Sequence, residues 1–153
     1  MRKRPISSGE QHATGDWLDV PRLASVEVSS EDPEQPIERA LVPANEGGWR
    51  AAVPGPQTIR ILFDEPQRIR RIRLVFAAGE QRTQEFLLGW SGGRASSFHE
   101  IVRQQWNFSP EGGTREVEDY VVDLRGVTAL ELRIRPDISG GNAVASVEQY
   151  LIG

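Results

Sequence analysis

From Leu23 onward the chain is a succession of short segments in which apolar and polar residues alternate, each closed by turn-forming residues. Ile72, Leu74 and Phe76 alternate with Arg71, Arg73 and Val75; Leu130, Leu132 and Ile134 alternate with Glu131, Arg133 and Arg135. Successive side chains of a strand point to opposite faces, so a period of two marks strands with one dry and one wet face. A train of such strands folds as a sandwich or a barrel.

The pattern predicts strands over Leu23–Ser29, Thr58–Asp64, Arg68–Ala77, Thr83–Ser91, Ser97–Phe108, Val117–Leu124, Ala129–Arg135 and Val144–Ile152. Glu65-Pro66-Gln67 reads as a turn between the second and third, and Ser109–Gly113 as a turn before the sixth. The one helical candidate is Pro36–Leu41, with proline in the first turn, where its missing N–H costs little. The expected fold is therefore all-β, an antiparallel eight-stranded jelly-roll sandwich with under about a tenth of its residues helical. At 153 residues the chain makes one domain with a real core. Residues 1–15 are polar and aperiodic and read as a flexible tail, leaving 16–153 as the domain.

Composition removes several classes of function. A net charge of −4 carries no basic footprint for nucleic acid. No apolar run approaches the roughly 20 residues of a membrane helix. With no cysteine, disulfides and thiol chemistry are excluded. The basic start has no apolar stretch behind it and does not read as a signal peptide, so a cytoplasmic location is expected. Catalysis has little support. His12 and His99 are far apart, and Ser91 in Gly89-Trp90-Ser91-Gly92-Gly93 precedes a strand where a nucleophile elbow needs a helix. A non-enzymatic binding domain without a catalytic cofactor is the expectation.

If successive strands alternate in direction, the connections Ser30–Gln57, Ala78–Arg82, Ser109–Glu116 and Pro136–Ala143 lie at one end of the domain. Loops on a rigid scaffold carry most binding sites. That end holds Glu46, Trp49, Arg50, Arg82, Asp137 and Asn142, the types that recognise sugar hydroxyls and the apolar side of a sugar ring. Two roles are open to Trp49: a stacking platform, or a buried plug pinning the long loop. Arg50 and Asp137 equally suit an exposed ion pair. Alternation puts Trp90 in the core with Phe86 and Leu88, leaves the side of Trp106 ambiguous, and puts Trp17 over a sheet edge or end. The Arg68, Arg70, Arg71 and Arg73 cluster, with Arg133 and Arg135, is either a balanced sheet surface or a patch for an acidic partner.

Four stretches give the chain a family likeness: Ala24–Ser30 as an opening strand, Asn45–Ala51 as a loop ending in a tryptophan, Gln57–Phe76 as a strand pair, and Ala145–Gly153 as a closing strand. In order and spacing they resemble the galactose-binding-like jelly rolls, which include discoidin or coagulation-factor type C domains and bacterial carbohydrate-binding modules. The resemblance implies a carbohydrate-binding module that takes a sugar through loops at one end; a protein-interaction domain of the same fold is the alternative. It also implies a structural calcium position near the Asn45-Glu46-Gly47 loop, with Asn45 and Glu148 as ligands, unless these groups only hydrogen-bond. In this likeness the closing strand lies inside a sheet. With that edge paired, and with arginine-rich outer faces that repel their like, a monomer is expected.

Overall fold

The computed structural model describes residues 17–43, 47–93 and 97–153. The tail expected over residues 1–15, and the candidates Asn45 and Glu46, lie outside them. Strands are β1 (Ala24–Val28), β2 (Trp49–Arg50), β3 (Gln57–Ala77), β4 (Arg82–Ser91), β5 (His99–Phe108), β6 (Arg115–Arg135), β7 (Ser146–Val147) and β8 (Gln149–Ile152). Two four-residue helices complete the described elements, α1 (Val20–Leu23) and α2 (Glu38–Leu41). The second fills the helical candidate, and the Glu31 carboxylate accepts from the Ile37 backbone N–H at its entrance (2.6 Å).

The fold is an all-β jelly-roll sandwich, but its strands are divided differently from the alternation pattern. Glu65-Pro66-Gln67 is no hairpin turn. β3 and β6 each run through two of the expected strands and stay paired with each other along their length. Leu62 faces Ala129 and Gln67 faces Val127, so four residues of β3 bulge out against one of β6. Pro66, which has no N–H to give a ladder, sits in that excursion. On the β6 side Gly126 adopts φ +67°, the left-handed conformation that a bulge demands of a glycine. The ribbon bends there and passes from one layer to the other. The first arm of β3 pairs with β1 and the last arm of β6, which continues to β4 and β5. The second arm of β3 pairs with β8 and the first arm of β6. β2 and β7 form a separate short pair.

The layers close over one apolar core. Ile59, Ile61, Phe86, Leu88, Leu130 and Leu132 are buried from one side; Ile72, Leu74, Phe76, Tyr150 and Ile152 are buried from the other. Phe76 and Phe86 meet across the layers with ring centroids 5.1 Å apart. The closing strand corrects an expectation: β8 has β3 as its only partner strand among the described residues, so it stands at the rim. Its outer side is met by the chain ahead of α1, where the Leu18 N–H donates to the Ile152 carbonyl (2.7 Å).

One part of the interior is polar. Gln84 of β4 faces Trp106 of β5 in register, beside the Phe86 that touches Phe76. Glu116 of β6 is the register partner of Phe76. Gln84 and Glu116 are both buried, and neither Glu116 oxygen meets a donor among the described residues. Burial first, and the adjacent Glu118 second, push the Glu116 carboxyl up to about 8. A proton on Glu116 lets it bond Glu118, whose other contact is the Tyr120 hydroxyl donating to it at 3.2 Å. An unfolded glutamate ionises near 4.5, so the folded state holds a proton that the unfolded state releases. Stability then falls as pH rises from about 4.5 to about 8. Glu116→Gln should flatten that decline and raise the melting temperature at pH 8 relative to the parent. Thermal scans at pH 5 and 8 check it; equal declines in both proteins would place the proton elsewhere.

Candidate functional site

The four long connections do converge at one end. The Gly55 N–H donates to Ala143 O (3.1 Å), Ala51 N–H to Ala145 O (2.9 Å), Ala78 N–H to Thr114 O (2.9 Å) and Ile138 N–H to Thr83 O (2.9 Å). The longest of them is a folded segment. Ser29 and Ser30 hydroxyls donate to the Gln57 side-chain oxygen (2.6 and 2.8 Å), and the Gln57 amide donates to Val53 O (3.2 Å), closing the loop at its root.

Trp49 is the plug of this loop. It has no exposed surface, pairs with Val147, and donates its indole N–H to the Ser30 carbonyl (3.2 Å). The close approach depends on Gly48: at φ +63°, a Cβ there would collide with the Val147 carbonyl oxygen. The stacking role considered for Trp49 is thereby corrected, since a ring with no open face cannot meet a sugar. Removing so large a buried side chain costs about 3–5 kcal/mol. Trp49→Ala should lose stability of that order in chemical denaturation, whereas a surface platform would leave stability unchanged.

Arg82 is the centre of the loop end. It opens β4 on the same side as Gln84, Phe86 and Leu88, so its side chain is drawn inward and is 4 % exposed. Its guanidinium lies 5.7 Å from the Phe108 ring centroid, and Nη1 donates to Glu80 (3.1 Å) and Val144 O (3.3 Å). Nε is buried without a partner among the described residues. Burial lowers the Arg82 pKa while Glu80 and Asp137 oppose the shift, and an arginine stays charged throughout.

A depression lies on either side of Arg82. One, of about 260 Å³, is lined by Arg50, Glu80, Arg82, Asn142 and Ser146. The other, of about 750 Å³, is lined by Arg82, Thr83, Asn107, Asp137, Ile138 and Ser139. Asp137 accepts the Ser139 N–H (3.0 Å) and hydroxyl (2.7 Å), both on Oδ1, and these bonds lower its pKa. Its second oxygen carries no hydrogen bond among the described residues and is free to accept. Arg50 and Asp137 lie in different depressions and do not form the ion pair considered for them. Thr83, Asn107 and Ser139 were not singled out by sequence reasoning; they flank the converging connections, which was the available signal. No exposed aromatic ring lines either depression among the described residues.

The other tryptophans sit elsewhere. Trp90 is half-buried against the core, its ring 5.2 Å from that of His99; Trp106 is half-buried with its indole N–H unbonded; Trp17 lies under the Arg71 guanidinium, 4.8 Å away. Glu148 carries an ion pair with Arg115 (3.3 Å). No three potential metal ligands of the acidic, histidine or cysteine type converge among the described residues. Asn45, the other ligand expected for calcium, lies outside the described residues.

No family model matches the chain, and no curated protein matches it. Solved structures do. The chain is similar to the CBM32 of AlyQ, in complex with 4,5-unsaturated mannuronic acid, at 19 % identity and TM-score 0.63, over 90 % of this chain and 97 % of that one. It is similar to CBM32-3 of a family 31 glycoside hydrolase from Clostridium perfringens at 16 % identity and TM-score 0.64, over 92 % and 96 %. The family 32 module of NanJ from C. perfringens, in complex with galactose, is matched at 13 % identity and TM-score 0.57, over 84 % and 92 %. The galactose-binding-like jelly roll implied by the sequence is thus the fold of this chain.

Proposed function

We propose that this chain is a non-catalytic carbohydrate-binding module that takes its sugar at the loop end. The observation that carries the reading is the pair of polar depressions meeting at Arg82, a buried cation with an unbonded N–H. Arg50, Arg82 and Asn142 supply planar donors for hydroxyls, and the second Asp137 oxygen supplies an acceptor. Ile138, 37 % exposed, gives the apolar contact for a ring C–H face that Trp49 does not provide. Two of the structural neighbours are described as complexes with sugars, which supports the assignment by fold analogy.

A glycan array with the purified chain should return a sugar ligand, and Arg50→Ala with Asn142→Ala should weaken it at least about tenfold, as lost hydrogen bonds to a charged or polar donor do. Near-UV circular dichroism should be unchanged, because both side chains are exposed. Undiminished binding by the double variant would remove the loop end from consideration.

A protein-interaction role has one observation in its favour. The first arm of β6 has a free edge among the described residues, and Val121 on its outer face is 90 % exposed. Asp119 and Asp123 flank it on the same face and blunt the edge. On the carbohydrate-binding reading the chain remains a monomer. Sedimentation equilibrium should give 17.1 kDa at micromolar concentration; a stable dimer would favour the interaction role.

A further inference from the structure

The two arginine-rich sheet faces differ in how their charges are used. On the second arm of β3, Arg68 is paired with Asp123, and Arg71 and Arg73 both with Asp119, at 3.0–3.1 Å. On that face Asp119 and Asp123 hold these three guanidiniums at hydrogen-bonding distance. On the outer face of the other layer, the register sets Arg103, Leu87 and Arg133 side by side across β5, β4 and β6. The next row is Gln105, Glu85 and Arg135. Arg103, Leu87, Arg133, Glu85 and Arg135 line a groove of about 430 Å³ whose lining holds three guanidiniums and one carboxylate, Glu85.

The donors in this groove are held and yet unspent. Arg133 is fixed through Nε by Glu131 (2.7 Å), a carboxylate only 7 % exposed, whose other oxygen is taken by Arg60. The terminal amines of Arg133 make no hydrogen bond among the described residues, and the side chain is 61 % exposed. Arg103 and Arg135 reach Glu85 at only 3.5 and 3.9 Å, and Arg103 Nε lies 3.5 Å from Glu100. A guanidinium anchored at Nε with its fork outward is arranged for a planar carboxylate. The groove also continues into the loop end. Arg135 donates to the Ile138 carbonyl (3.4 Å) at the wall of the larger depression, and Thr83, one same-face step along β4 from Glu85, lines that depression. Same-face residues recur about every 6.6 Å, so Thr83 to Leu87 spans about 13 Å, longer than one sugar ring.

We infer that this face extends the loop-end site into a track for an acidic polysaccharide: Arg135, Arg133 and Arg103 take carboxylates of successive units, and Leu87 lies beneath a ring. The inference rests on the carbohydrate-binding reading above. A densely charged polyphosphate is disfavoured, because Glu85 and Glu100 lie along the same track and the chain as a whole is negative.

Affinity electrophoresis through polygalacturonate, alginate and hyaluronan, each beside its methyl-esterified form, tests it. At least one carboxylated polymer should retard the protein, and esterifying it should weaken binding about tenfold or more. Arg133→Ala with Arg135→Ala should lose a similar factor on the acid form and little on the ester, while Arg133→Lys with Arg135→Lys, keeping charge without the fork, should fall between. Equal binding of acid and ester, unchanged by the alanine pair, would overturn the track and leave the loop-end reading standing. Retardation by single-stranded DNA as strong as by any glycan would overturn it in favour of a general polyanion surface. No binding to these polymers overturns the track; a glycan array that is also blank removes the carbohydrate reading itself.

Discussion

The pairing of β3 with β6 across both layers is the constraint on which the loop end depends. Each strand enters at the loop end, crosses the bulge at the far end, and returns in the other layer. Two continuous ribbons thereby deliver Ala77, Arg115 and Arg135 to the same edge of the domain as Gln57. The bend needs unpaired backbone on one side and a left-handed residue on the other, which Pro66 and Gly126 provide. A straight ribbon would scatter the connections between two ends, and neither depression beside Arg82 would exist.

Arg82 then has a double role that follows from its place. It lies in the apolar register of β4, so it is drawn toward the core. As the first residue of the strand it reaches the loops as well. Desolvating a guanidinium is costly unless its donors are met. Glu80 and the Val144 carbonyl meet two of them, both at Nη1, the Phe108 ring lies beside the charge, and the buried Nε has no partner among the described residues. A ligand oxygen in either depression would lie beside a charge set in a low-dielectric wall, where a hydrogen bond counts for more than on open surface.

Much of this was legible in the chain. The period-two pattern located nearly every strand, because a half-buried sheet must alternate. Glu65-Pro66-Gln67 reads as a turn that ends a strand because turn chemistry reports a break in the ladder, not whether the chain reverses within a sheet or crosses to another. Since both outcomes return the chain to the same end, the grouping of the four connections survived the error. Trp49 was ambiguous because a tryptophan in a long loop is apolar whether it plugs or stacks. The Gly47-Gly48 pair just before it was the usable signal of close backbone approach. Arg82 shares parity with Phe86 and Leu88, and that parity announced its burial. Gln84 and Glu116 could not be placed, since their burial depends on which strands face across the layers. The rim position of β8 was equally hidden, being a matter of non-local pairing.

The burial of Trp49 changes the physics of binding at this surface. An aromatic platform concentrates affinity in one contact, worth more than its area when desolvated. Without it, recognition rests on hydrogen bonds that each contribute about 0.5–1.5 kcal/mol net, and on ion pairs that salt weakens. A few such bonds cannot hold a single sugar tightly against the translational entropy of association. Repetition can: a second and third unit bound along the same chain contribute as intramolecular events at high effective concentration. The grooved face beside the loop end, with Arg133 anchored and Arg103 and Arg135 more loosely held, supplies that repetition. A surface built this way discriminates by polymer charge and length more than by the identity of one terminal sugar, and its affinity should decline with ionic strength.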